Sequence, residues 1–149
     1  MDFHHTKNKW SYTQRNANAT WIRTYTSLIE SHPIEQALDI GCGGGIYTKA
    51  LVEMGIPSVI GVDSSEVMLE AAAENCHGWE GIRFHKGDAQ VTGLESASCD
   101  LILERALIHH LQELQHCFSE AYRLLRPGGV CSFRTAHQKI ACCQGVPSI

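Results

Sequence analysis

The residues best equipped for chemistry are concentrated in one short run, Asp39-Ile-Gly-Cys-Gly-Gly-Gly45, followed at intervals by two further acids, Asp63 and Asp88. Glycine is required where the backbone takes a positive φ or where a ligand approaches the main chain with no Cβ in its way. Four glycines within residues 41–45 exceed the needs of a tight turn, so the run is read as a ligand loop. Its spacing narrows the ligand. A dinucleotide fingerprint, G-x-G-x-x-G, would need glycine at Ile46 or at Thr48, and neither position supplies it. A P-loop would need G-K-[ST] after the glycines, which is absent. The pattern that fits is D-x-G-x-G-x-G, starting at Asp39.

Other reactive side chains are numerous but poorly spaced for chemistry. The seven cysteines (42, 76, 99, 117, 131, 142 and 143) contain no CxxC pair, so no zinc site is expected. With no apolar signal segment at the N-terminus, they read as small buried thiols in a reducing, cytoplasmic setting. Neighbouring histidines, as in His4-His5 and His109-His110, diverge on either a strand or a helix and make no ready chelate. No metal is expected.

The elements that must position these groups follow from hydrophobic period. Trp21, Ile22, Tyr25, Leu28 and Ile29 repeat at helical spacing, and the run stops before His32-Pro33. A short strand at residues 36–40 opens directly into the glycines. Ile46, Ala50, Leu51 and Met54 then mark a helix closed by Gly55 and Pro57. A second strand, 58–62, ends at Asp63. Ser64 or Asp63 is placed to cap the next helix, whose inner face is Val67, Met68, Ala71, Ala72 and Cys76. Strands at 82–86 and 99–103 follow, the second reaching Glu104. The clearest helical stripe is Leu111, Leu114, Phe118, Ala121, Tyr122 and Leu125, stopped by Pro127-Gly128-Gly129 before a fifth strand at 130–134. Apolar strands alternating with amphipathic helices predict an α/β, Rossmann-like, doubly wound parallel sheet of about five strands.

The chain's 149 residues, 44% hydrophobic, suit one domain, and no apolar run is long enough to span a bilayer. A net charge of −4 and a pI near 6.1 disfavour a general nucleic-acid binder, which must neutralise phosphates. The acids are concentrated in the middle: residues 31–120 carry fourteen against four bases. That is read as solvated helix faces, with a cationic ligand as the alternative. Residues 1–35 form an N-terminal segment and helix able to act as a lid, residues 36–135 the ligand-binding domain, and residues 136–149 an irregular tail.

In register, five motifs give the chain a family likeness: Leu38–Gly45; Gly61-Val-Asp63-Ser-Ser65; Gly87-Asp-Ala89; Cys99-Asp-Leu-Ile-Leu103 leading to His109-His110-Leu111; and Glu120-Ala-Tyr-Arg-Leu-Leu-Arg-Pro-Gly-Gly129. Over roughly residues 10–135 the chain resembles the class I S-adenosylmethionine-dependent methyltransferases, most of all the type-11 group that includes ubiquinone and menaquinone biosynthesis enzymes. The resemblance implies S-adenosyl-L-methionine as co-substrate and a small-molecule acceptor, with Asp39, Gly41, Cys42, Gly43, Gly45, Asp63, Ser64, Asp88, Ala89 and Glu104 around the cofactor. The loop Gly41–Gly45 would pass beneath the amino-acid end, with Asp39 holding its ammonium. Asp63 would accept both ribose hydroxyls, as an acceptor-only fork suits a vicinal diol, or serve only as a helix cap. Asp88 would accept from the adenine amino group near Ala89, or form only a turn. Glu104 would sit beside the methionine portion through its backbone carbonyl. His109 and His110 are read as packing or capping residues rather than a base, Tyr12 and Arg15 (near Trp10) as lid residues, and Tyr47 as a carboxylate contact or a packing group.

Two departures from the family pattern stand out. Small polar residues are common after strand four, where this chain has Glu104-Arg105. The family sheet has seven strands, whereas the tail 135–149 shows no sixth or seventh, so the chain reads as truncated with an exposed apolar fifth strand. The expected function is methyl transfer to a small molecule, with no catalytic base identifiable. The alternative is a truncated, non-catalytic S-adenosylmethionine-binding or interaction module; a nicotinamide oxidoreductase is disfavoured by the glycine spacing.

Overall fold

The computed structural model describes residues 17–105, 111–134 and 141–144. In chain order its elements are α1 (Ala19–Ser31), β1 (Gln36–Ile40), α2 (Ile46–Glu53), β2 (Ser58–Asp63), α3 (Glu66–Asn75), β3 (Ile82–Lys86), β4 (Cys99–Arg105), α4 (Leu111–Leu124), β5 (Leu125–Arg134) and β6 (Ala141–Gln144). Among the described residues the six strands form a single sheet, ordered β3-β2-β1-β4-β5-β6. The first five strands pair in parallel, as the alternation of strand and helix requires. After β3 the chain crosses back over β1 to lay down β4. The carboxyl ends of β1 and β4 therefore flank the point where strand order reverses, the usual place for a ligand crevice in such sheets.

The inner strands of the sheet are buried on both faces, while edge strand β3 is half-buried, and strand alternation sorts the side chains between two cores. On one face Ala37, Val59, Leu101, Leu103 and Val130 pack with Trp21 and Tyr25 of α1 and with Ala50 and Leu51 of α2. On the other, Leu38, Ile40, Ile60, Val62, Ile102, Cys131 and Phe133 meet Ala121 and Leu124 of α4, with Ala89 and Leu94 from the β3–β4 connection. At the amino end of the sheet, Asp100 accepts hydrogen bonds from the Glu35 and Gln36 amides at 3.0 Å and from the Arg126 guanidinium. Partial burial would raise its carboxyl pKa, but those donors outweigh it and hold the pKa below its usual value.

Three expectations are corrected by the structure. The tail was read as irregular, yet residues 141–144 form β6, antiparallel to β5 with Cys131 opposite Cys143 and Phe133 opposite Ala141. Four residues are too few to show a period, and the unpaired polar row along β5 recruits them by main-chain bonding rather than by side-chain pattern. The α4 stripe is also rotated. Phe118 and Tyr122 are 39% and 49% exposed, while Cys117, Glu120, Ala121 and Leu124 face inward. Finally, β5 starts at Leu125 and carries Pro127-Gly128-Gly129 within it, at a register shift opposite Cys99 and Leu101, where a proline is tolerated in a strand.

Candidate functional site

At the end of β1 the glycine run folds as a bend held by main-chain bonds. The Gly41 and Cys42 amides both donate to the Val62 carbonyl, at 2.7 and 2.9 Å. Gly41, Gly43 and Gly45 all have positive φ (77°, 52° and 80°), which explains three of the glycines directly. Gly45 doubles as the N-cap of α2. Asn75 donates to the Gly44 carbonyl, and the Cys76 thiol lies 3.5 Å from the Gly45 carbonyl, so the end of α3 supports the bend from behind.

Asp63 ties this bend to β2. One of its oxygens accepts from the Gly43 amide at 2.9 Å and the other from the Ser65 amide at 2.8 Å. Each oxygen keeps a second lone pair, so the carboxylate is oriented and still able to accept from a ligand. The α3 cap is neither Asp63 nor Ser64. It is Ser65, whose hydroxyl accepts from the Met68 amide. Asp63 is thereby released from the capping role that competed with ligand binding. Asp88 follows β3, its Oδ1 accepting from the Gln90 amide at 2.8 Å in a local turn.

These pieces meet in one cleft of about 330 Å³ at the carboxyl ends of the strands. It is lined by Gly41, Asp63, Ser64, Gly87, Asp88, Ala89 and Gln90. Five residues anticipated from sequence (Gly41, Asp63, Ser64, Asp88 and Ala89) share this wall. Gln90 was missed, although it directly follows the Gly87-Asp-Ala89 motif. Other anticipated residues lie behind the cleft. Asp39 is buried with Oδ2 accepting from the Thr48 hydroxyl at 2.7 Å, which anchors the bend to α2. Cys42 is buried and packs behind Gly61; a Cβ on Gly61 would lie 2.7 Å from the Phe84 ring and 3.0 Å from the Cys42 sulfur. Burial, with help from Asp39 and Asp63, pushes the Cys42 thiol well above its ordinary pKa, and burial takes Cys76 up to about 11. Both stay protonated and serve packing rather than nucleophilic attack.

Glu104, at the carboxyl end of β4, is fully buried, and neither of its carboxyl oxygens has a hydrogen-bond partner among the described residues. Desolvation, reinforced by the charge of Glu120, raises its pKa to about 8. Glu120 is the opposite case. Hydrogen bonds from Arg123 bring it down to about 2 against partial burial, with the Thr92 hydroxyl and amide adding two more. Arg123 also donates to the Leu94 carbonyl and the Ser96 hydroxyl. This cluster clamps the β3–β4 connection, whose first residues carry half of the cleft wall. The sequence did hint at it, since Glu120 and Arg123 sit one helical turn apart within a motif otherwise unexplained.

Tyr47 packs rather than projects: its ring meets Trp21 edge-on at 4.6 Å between centroids. Trp10, Tyr12, Arg15, His109 and His110 lie outside the described residues. No cluster of side chains able to hold a metal ion and no helix long and apolar enough to cross a membrane occurs among the described residues. The cleft thus presents an oriented acceptor at Asp63, a second acceptor at Asp88, and the main chain at Gly41.

Comparison with known proteins agrees with this geometry. The sequence matches the methyltransferase domain family over residues 38–133. It is 33% identical to trans-aconitate 2-methyltransferase of Deinococcus radiodurans over 118 residues, covering 78% of this chain and 43% of that protein. To malonyl-[acyl-carrier protein] O-methyltransferase of Serratia marcescens it is also 33% identical, over 70% of this chain and 40% of that one. Its fold is similar to the crystal structure of an S-adenosylmethionine-dependent methyltransferase from Mesorhizobium loti, with a TM-score of 0.68 and 29% identity over 81% of this chain and 54% of that one. The chain spans between 36% and 44% of the length of the curated relatives it matches.

Proposed function

The chain belongs to the methyltransferase domain family, whose co-substrate is S-adenosylmethionine, and from that premise we propose that it transfers a methyl group from this sulfonium to a small-molecule acceptor. One observation carries the reading: Gly41, Asp63, Ser64, Asp88 and Ala89, contributed by three different strand ends, converge on a single cleft. The co-substrate supplies a methyl carbon already activated by its sulfonium leaving group. What remains for the protein is to bind, align and exclude water.

Each residue then has a definite task. Asp63, oriented by the Gly43 and Ser65 amides, accepts from the ribose diol. Asp88, held in its turn by the Gln90 amide, accepts from the adenine amino group, with Ala89 and Gln90 completing that wall. Gly41 lets the main chain pass close beneath the amino-acid end. Asp39 acts from below, fixing the bend to α2 through Thr48 rather than meeting the ligand across the cleft. Because the bend and the β3–β4 connection are both tied to the sheet, the site is largely formed before the ligand arrives.

The decisive test is binding of the demethylated product, S-adenosylhomocysteine. The folded protein is expected to gain thermal stability with it, and Asp63→Ala to lose that gain. No shift with folded wild-type protein would refute the reading. Incubation with S-adenosylmethionine and panels of hydroxy acids, phenols and amines then separates an enzyme from a binding module, since only an enzyme accumulates product with an acceptor.

A further inference from the structure

Glu104 is a buried acid with nothing described to bond to, placed where the strand order reverses. Its β4 position pairs with Ile40, the residue just before cleft-lining Gly41. By strand alternation Glu104 lies on the same sheet face as Ile102, whose core cluster has Ala89, another residue of the cleft wall, packed against it. If Asp63 and Asp88 hold the nucleoside, the remainder of the ligand would lie beside the glycine bend, next to which β4 ends. That remainder carries the sulfonium. A buried carboxyl with no hydrogen-bond partner among the described residues is costly to ionise, and a fixed positive charge beside it offsets that cost.

We propose that the Glu104 side chain is the counter-charge of the ligand's sulfonium, so that the protein separates the methyl-bearing cation from its neutral thioether product by charge. This inference rests on the S-adenosylmethionine reading above and adds a role for the side chain itself. The surroundings of Glu104 fit such a switch. Its register partners, Ile40 of β1 and Phe133 of β5, are apolar and belong to the core on this sheet face, against which Ala89 and Leu94 of the β3–β4 connection pack. The facing charge is Glu120 of α4, already ionised and held by Arg123. With one carboxylate of the pair committed, Glu104 keeps its proton in the free protein up to a pKa of about 8. When the cation binds, Glu104 ionises and its proton leaves to solvent. The thioether offers no such charge, so Glu104 stays neutral beside it.

Linkage gives the expected size. One proton released on binding makes affinity rise by about tenfold per pH unit below the free-state pKa, flattening above it. The ratio of S-adenosylmethionine to S-adenosylhomocysteine affinity, measured by calorimetry from about pH 6 to about pH 9, should therefore climb more steeply in wild type than in Glu104→Gln. Titrations near pH 7 in buffers of different ionisation enthalpy should show close to one extra proton released with the sulfonium ligand, and that excess should vanish in the variant. The variant comparison cancels ionisation of the ligand's own amino group. If both ligands bind but the two proteins share one pH profile and one proton count, the inference is overturned while the family reading stands. If folded wild type binds neither ligand, the family reading fails first. Should Glu104→Gln not fold, carboxyl-labelled glutamate in wild type provides the answer by NMR. One signal with a raised pKa should convert to carboxylate with S-adenosylmethionine but not with S-adenosylhomocysteine; a signal indifferent to the choice of ligand overturns the inference.

Discussion

Replacing Glu104 by glutamine tests the electrostatics of the site without any ligand. In the folded chain the Glu104 carboxyl is held neutral up to a pKa of about 8, against an ordinary value of 4.5. The sign follows directly. Below about pH 4.5 both states are protonated and Glu104 adds no pH dependence. As pH rises, the unfolded chain ionises first, so it binds fewer protons than the folded chain and stability falls until about pH 8. Between about pH 5 and pH 8 the loss integrates to roughly 3–4 kcal/mol, a sizeable share of the 5–15 kcal/mol typical of a domain. Glutamine cannot ionise, so the variant escapes this loss whatever constant offset its amide introduces. Urea unfolding at about pH 5, 6.5 and 8 measures both proteins, and the difference in their pH slopes isolates the residue. The variant should be more stable than wild type at the alkaline end by roughly 3 kcal/mol relative to the acid end. Parallel pH profiles would refute the account of a neutral buried acid at this strand end.

Glu120 should show the opposite dependence. Its pKa is depressed to about 2, so its contribution is present above about pH 4.5 and is lost as pH falls through 2. Glu120→Ala should cost about 2–3 kcal/mol at neutral pH, flatten the acid limb of the stability curve, and loosen Asp88 enough to weaken S-adenosylhomocysteine binding, all readable by denaturation and calorimetry. Gly61→Ala would push a methyl to 2.7 Å from the Phe84 ring, and about 1–3 kcal/mol of lost stability is expected in urea unfolding. Leu103→Ala, which empties a fully buried position in β4, should cost about 2–5 kcal/mol with an unchanged m-value.

Much of this protein is written locally. The glycine bend is legible because its backbone angles admit little else, as at Gly41, Gly43 and Gly45. Four of the five parallel strands are legible because strands buried on both faces are largely apolar, edge strand β3 (Ile82–Lys86) by its alternation of apolar and polar residues, and the helices between them by helical spacing. Asp63, Ser64, Asp88 and Ala89 could be brought to one cleft because each lies at or within three residues of a strand's carboxyl end, and those ends converge on one edge. What only the tertiary structure decided depends on neighbours distant in sequence. Glu120 is buried on α4, while Phe118 stays partly exposed with its ring against Phe133, because Thr92, 28 residues away, and Arg123, one turn on, satisfy the Glu120 carboxylate. The Asp39 bond from Thr48 of α2 and the capping of α3 by Ser65, not by Asp63 or Ser64, are both set by the folded chain. β6 exists because β5 presents an open edge, which no side-chain pattern in Ala141–Gln144 announces. Glu104 shows the division most clearly. The sequence supplies an acid at a strand end; only packing removes its water and leaves it with no hydrogen-bond partner among the described residues, and that desolvation raises its pKa.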